Sequence, residues 1–176
     1  MTEGFVLRAM GAADLAAYKA LRDGALAERP GAFTSDAATE LRRPAETYLA
    51  RLAGPADGGW PFTLTAWIGD RLIGAVTCER DARVKVNHIG HIVGMMVEPA
   101  ARGRGVGRAL LEACIARARE RGLLMLTLSV TSDNAAAVEL YASMGFVRYG
   151  RLERAVRVGT RFHDKDLMLL DLDKTI

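Results

Sequence analysis

The segment Arg102-Gly103-Arg104-Gly105-Val106-Gly107-Arg108 alternates glycine with other residues and carries three arginines. Glycine lets a backbone approach a ligand closely. The first turn of a helix adds unpaired N–H groups and the positive end of its dipole. Such a turn holds phosphate oxygens, and neighbouring guanidinium groups neutralise them. The chemistry points to a pyrophosphate-bearing ligand. Two other phosphate loops do not fit. The dinucleotide fingerprint G-x-G-x-x-G would need glycine in place of Arg108 or Leu110, and the triphosphatase loop needs a Gly-Lys pair, which the chain lacks. The competing structural reading is a glycine-rich helix start with surface arginines. Three alternating glycines there weaken a helix unless something must approach that backbone.

Other reactive residue types are sparse. His88 and His91 invite a metal reading, but a spacing of three on a strand puts them on opposite faces unless a bulge intervenes, so no metal is expected. Cys78 and Cys114 lie too far apart in sequence for a Cys-based zinc site, and two do not make a disulfide framework. They read as buried free thiols, Cys114 on the inward face of a helix. Glu79 ends a strand, and Glu98 reads as a surface residue.

These residues need elements to hold them. Short β-type runs are expected at Phe5 to Arg8, Phe62 to Ile68, Arg71 to Cys78 and His88 to Val97. Gly69-Asp70 forms a hairpin turn between the second and third, and Pro99 stops the fourth. Helices are expected at Ala12 to Arg22, at Ala37 to Leu52 with an interruption at Pro44, at Gly105 to Arg121, and at Asn134 to Met144. Leu123 to Val130 is almost continuously apolar and reads as a central strand. Phe146 to Tyr149 and Lys165 to Leu172 complete the set, and Gly54 to Gly59 is a linker-like turn. The order gives a three-layer α/β domain around a mixed sheet, with residues 1–176 as one domain.

Composition narrows the class. The chain has 176 residues, 50% hydrophobic and 26% charged, with a formal net charge of +3. That is an ordinary globular balance and excludes disorder as the main description. A charge of +3 is too weak a bias to indicate nucleic acid, and Arg117, Arg119 and Arg121 read as a solvated helix face. No run approaches the roughly 18 apolar residues of a membrane span, and the N-terminus lacks a signal-peptide pattern, so a cytoplasmic protein is expected.

Arg102-Gly103-Arg104-Gly105-Val106-Gly107 matches (Q/R)-x-x-G-x-(G/A), and Asn134 to Phe146 is similar to N-x-x-A-x-x-L-Y-x-x-x-G-F. With Met95-Met96-Val97-Glu98-Pro99 before them, these segments resemble the GNAT superfamily of acyl-CoA-dependent N-acyltransferases. The motif match covers Gly90 to Tyr149, and a more diffuse likeness runs from Phe5 to Leu172. The resemblance implies an α/β, GNAT-like three-layer domain. Its central mixed, mostly antiparallel sheet would splay between the fourth and fifth strands, with helices on both faces. It implies acetyl-CoA as cosubstrate, no metal, and a primary amine of a small molecule or protein as acceptor, and it admits a homodimer.

Residue roles follow from the same resemblance. The loop amides and side chains of Arg102, Gly103, Arg104, Gly105, Val106, Gly107 and Arg108 would hold the CoA pyrophosphate. Met95, Met96 and Val97 on the bulged strand would hold the pantetheine arm and the acetyl carbonyl, with an N–H of Met96 or Val97 polarising that carbonyl. Asn134 would contact the pantetheine arm, or else serve only as a helix cap. Ala137 is small where the cofactor would pass. Tyr141 would protonate the leaving thiolate, which a phenol of pKa ~10 can do. Its alternative is a core tyrosine beneath the cofactor. His91 stands where some members place a glutamate base, and the alternative is a satisfied core histidine. His163 and Asp164 resemble acceptor-lining residues. Direct transfer in a ternary complex is expected, without an acyl-cysteine. A non-catalytic acyl-CoA sensor of the same fold and a nucleotide-binding protein of another fold are the competing functions.

Overall fold

The computed structural model describes residues 4–52 and 59–173. The turn expected at Gly54 to Gly59 therefore lies outside the described residues, Gly59 excepted. Seven strands form one sheet: β1 (Val6–Ala9), β2 (Phe62–Ile68), β3 (Arg71–Arg80), β4 (Ile89–Val97), β5 (Met125–Thr131), β6 (Val147–Val158) and β7 (Arg161–Asp171). Their spatial order is β1-β2-β3-β4-β5-β7-β6, antiparallel throughout except for the parallel pair β4–β5. That pair needs a crossover, supplied by α3 (Val106–Glu120). The other helices are α1 (Leu15–Glu28), α2 (Ala37–Leu41) and α4 (Ala135–Ser143). No helix among the described residues is long and apolar enough to cross a membrane.

The pleat of β3 sorts its side chains into two cores. Ala75 joins Tyr18 of α1, Tyr48, Trp67 and Met96 on one face. Val76 and Cys78 join Leu110, Cys114 and Ile115 of α3 on the other. The three layers expected from the sequence are thus present.

Several boundaries differ from expectation. Helix α1 runs to Glu28 because Tyr18, Arg22 and Leu26 continue one buried stripe. Arg22 disguises the period. Its charge is tolerated inside because Nε faces Glu40 Oε2 at 3.4 Å and Nη2 donates to Ser35 Oγ at 2.9 Å. The second helix ends at Leu41, and Pro44 begins a separate 3-10 stretch, Ala45–Arg51. Strands β6 and β7 form a far longer hairpin than expected. Gly150 sits at a register shift between them rather than ending the strand.

Two irregularities open the sheet. Strands β4 and β5 share only three rungs, Ile89↔Met125, Gly90↔Leu126 and His91↔Thr127. Beyond them β4 follows β3, while β5 stays with β7 as far as Thr131↔Lys165. This is the splay expected between the fourth and fifth strands. On the other side of β4, Ala75 pairs with Met96 but Thr77 pairs with Val93, so β4 holds one extra residue. Gly94 absorbs this bulge at φ +59°.

Candidate active site

The parted strands border a cavity of about 400 Å³. Met95, Met96 and Val97 line it from β4, and Asn134, Ala137 and Tyr141 from the β5–α4 side. Between them lie Arg102, Gly103, Gly105, Val106, Gly107 and Arg108. One space thus collects nearly every residue singled out for cofactor binding. Arg104 and His91 are not among its lining residues.

The loop's glycines serve its backbone. Gly103 and Gly105 have φ of +73° and +81°, a region that side chains disfavour. A Cβ at either would meet nothing within 4 Å, so close packing is not their purpose. Gly105 is the left-handed N-cap of α3, and no side chain caps that helix. Its first amides and its dipole therefore remain available to an anion.

The arginines are more occupied than the sequence suggests. Arg102 donates from Nη1 and Nη2 to Glu28 at 2.5 and 2.6 Å, and from Nε to the Val97 carbonyl at 3.2 Å. Its guanidinium beside Glu28 holds that carboxyl below its usual range. Arg108 donates to Ser143 Oγ at 2.9 Å and to Met144 Sδ at 3.3 Å, tying α3 to α4.

Asn134 precedes α4 but makes no side-chain cap, which corrects the capping alternative. Its Oδ1 accepts instead from Arg29 Nη1 at 3.2 Å. Tyr141 is 6% exposed and stacks edge-on against Phe146 with ring centroids 5.9 Å apart. Burial, with a smaller contribution from nearby Cys114, pushes the phenol above its ordinary value. It therefore keeps its proton at neutral pH.

The candidate base is not brought to the same place. His91 lies exposed on the last shared rung, with Nδ1 2.7 Å from Thr127 Oγ1. It stands opposite Glu79, which accepts from Arg51 Nη1 at 2.6 Å. His88 precedes β4 rather than lying on it. Among the described residues no group of three or more His, Cys, Asp or Glu is arranged to hold a metal. Cys78 and Cys114 are buried and free, and the neighbouring Cys114 thiol together with burial drives the Cys78 thiol far up. That disfavours the thiolate needed for an acyl-cysteine.

Sequence reasoning missed one wall. Ala25 of α1, Arg29 just after it, Ala32 and Phe33 line the cavity. Arg22 holds this stretch through Ser35, and its guanidinium lies 5.9 Å from the Phe33 ring. Thr131 Oγ1 donates to the Gly31 carbonyl at 2.8 Å, fastening the stretch to β5. His163 touches it too: a Cβ on Gly31 would fall 2.9 Å from His163 Nε2. His163 Nδ1 is 2.8 Å from Asp133 Oδ2, whereas Asp164 caps the Arg154 amide of the hairpin. The available signal was a charged Arg22 on an apolar stripe, which requires buried partners.

The chain is 35% identical over 102 residues to N-alpha-acetyltransferase 30 of Schizosaccharomyces pombe, covering 57% of this chain and 68% of that protein. The acetyltransferase of GNAT family from Streptococcus pneumoniae superposes with a TM-score of 0.82 at 28% identity, over 96% of this chain and 99% of that one. The fold is also that of yncA from Salmonella typhimurium, solved with its cofactor acetyl-CoA, with a TM-score of 0.78 at 22% identity over 98% and 96% of the two chains. The sequence profile of the acetyltransferase (GNAT) family matches residues 20–146, and with the glycine loop, the bulged strand and the splay all inside that match, the chain belongs to this family of acetyltransferases.

Proposed function

We propose that this acetyltransferase passes the acetyl group of acetyl-CoA directly to a primary amine of a small molecule or protein while both are bound. The observation that carries this is the single cavity uniting the uncapped N-terminus of α3, the bulged end of β4 and a buried Tyr141. The residues fit the cofactor. Amides of the 102–107 loop suit a pyrophosphate, Asn134, whose Oδ1 accepts from Arg29, has a side-chain amide suited to the pantetheine amides, and Ala137 leaves room. Acetyl-CoA supplies the acetyl group as a reactive thioester. An N–H of Met96 or Val97 polarises its carbonyl. Tyr141, protonated, gives its proton to the departing sulfur and is reprotonated with the proton that the attacking nitrogen sheds as the amide forms. The ammonium proton leaves through water towards His91, since among the described residues neither a carboxylate nor an imidazole lines the cavity. Holding both reactants in one cleft supplies the proximity term.

The test is thiol release from acetyl-CoA against a panel of amines, peptides and aminoglycosides, with Tyr141→Phe alongside. Release with one acceptor class, reduced in the variant, supports the assignment. Absence of any thermal stabilisation by acetyl-CoA would sink it. Stabilisation without release from any acceptor would favour a sensor.

A further inference from the structure

The last turn of α1 meets both walls of the cavity at once. Glu28 gives both carboxylate oxygens to Arg102 on the glycine loop. The next residue, Arg29, donates to Asn134 Oδ1 at the start of α4. Arg102 sits on the loop that the proposed function assigns to the pyrophosphate, and Asn134 is the side chain it assigns to the adjoining pantetheine arm. Each contact also has the ligand's own chemistry. A carboxylate offers paired anionic oxygens to a guanidinium as a phosphate does. A guanidinium N–H donates to an amide oxygen as a pantetheine amide would.

We infer that Glu28 and Arg29 are positioning residues that compete with acetyl-CoA for Arg102 and Asn134, so that cofactor binding displaces the end of α1. The inference rests on the proposed function. Charge makes the competition unavoidable: a pyrophosphate and Glu28 on one guanidinium are like charges a few ångströms apart. Exchange is also open to solvent, because the Arg102 and Glu28 side chains are 36% and 34% exposed. The displaced turn is continuous with Ala32 and Phe33, which also line the cavity. Cofactor loading thereby reshapes that wall of the cavity.

The test is CoA binding to the whole chain by calorimetry, using wild type, Glu28→Gln, Arg102→Gln and the double variant, each checked for an unchanged thermal midpoint. Glu28→Gln is expected to tighten CoA about three- to fivefold, the range of one exposed ion pair. In the Arg102→Gln background the gain should vanish. Pantetheine, which lacks the pyrophosphate, should bind Glu28→Gln and wild type alike. Saturating CoA should raise amide exchange across residues 25–33 in wild type. Glu28→Gln binding CoA as weakly as Arg102→Gln would show that Glu28 instead orients the arginine for phosphate, and would overturn the inference. Unaltered affinity, or slower exchange across 25–33, would overturn it too. Failure of wild type to bind CoA at all would remove the proposed function itself, a separate result.

Discussion

Replacing Gly94 with alanine tests the bulge on which the site depends. At φ +59° a side chain costs about 1–2 kcal/mol through its backbone alone. The added Cβ would lie 3.2 Å from Tyr18 Oη and 3.8 Å from Thr77 Oγ1. Tyr18 is fully buried and packed edge-on against Tyr48 at 5.1 Å, so it cannot swing aside. Overpacking adds about 1 kcal/mol. The expected loss is about 2–3 kcal/mol, seen in urea unfolding and as a Tm lower by about 4–12 °C. Tyr18→Phe separates the two contributions. The Tyr18 hydroxyl is buried without a hydrogen-bond partner. Its removal should be neutral or stabilising by up to about 1 kcal/mol. In the double variant only the backbone contribution should remain. If Gly94→Ala proved as stable as wild type, the left-handed bulge would not be required, and the reasoning would fail. A loss above about 1 kcal/mol in Tyr18→Phe would show that the hydroxyl has an unrecognised partner.

Tyr141→Phe should lower the rate about 10²–10⁴-fold with acetyl-CoA affinity unchanged, measured by thiol release and calorimetry. Because burial raises the Tyr141 pKa above its ordinary 10.0, the rate should show no loss attributable to this group as pH rises from 7 towards 10. Asp166 is held below the usual carboxylate range first by the Arg151 guanidinium, then by Ser132 Oγ. Its stabilising contribution is therefore full above the unfolded value near 4 and disappears as pH falls below it. Urea titrations of Asp166→Asn should show a flatter stability-versus-pH curve than wild type in that acid range. Gly74→Ala should cost about 1–3 kcal/mol in the same assay. Its Cβ would fall 2.9 Å from Leu110 Cδ1, 3.1 Å from Val106 Cγ1 and 3.2 Å from the Met96 carbonyl, pushing α3 off the sheet.

What the sequence made legible was local. The glycine loop at Arg102 to Gly107 needs only neighbouring residues, as do the Gly69-Asp70 turn and the α3 stripe, and all three elements stand where expected. The cavity's second wall depends on contacts across long sequence separations. Thr131 to Gly31 spans 100 residues, and Arg29 to Asn134 spans 105. No periodicity reports such contacts. His91 shows the same limit from the other side: its spacing from the loop was readable, but its exposure is decided by where β5 leaves β4. Arg102 looked like a free cation because nothing near it in sequence announces Glu28, 74 residues away.

Strand β6 runs well past the Tyr149 expected from the sequence because arginines interrupt its apolar pattern, and those arginines have a colloidal consequence. It is the outermost strand beside β7, and much of it is exposed. A bare, regular edge of this length would recruit strands from other molecules. Here Arg148, Arg151, Arg154 and Arg157 recur every third residue, and the register breaks at Gly150 and again before Val156. Charge and irregular pitch together deny an incoming strand a continuous ladder. The composition that conceals this strand from hydropathy also acts as its gatekeeper against edge-to-edge aggregation.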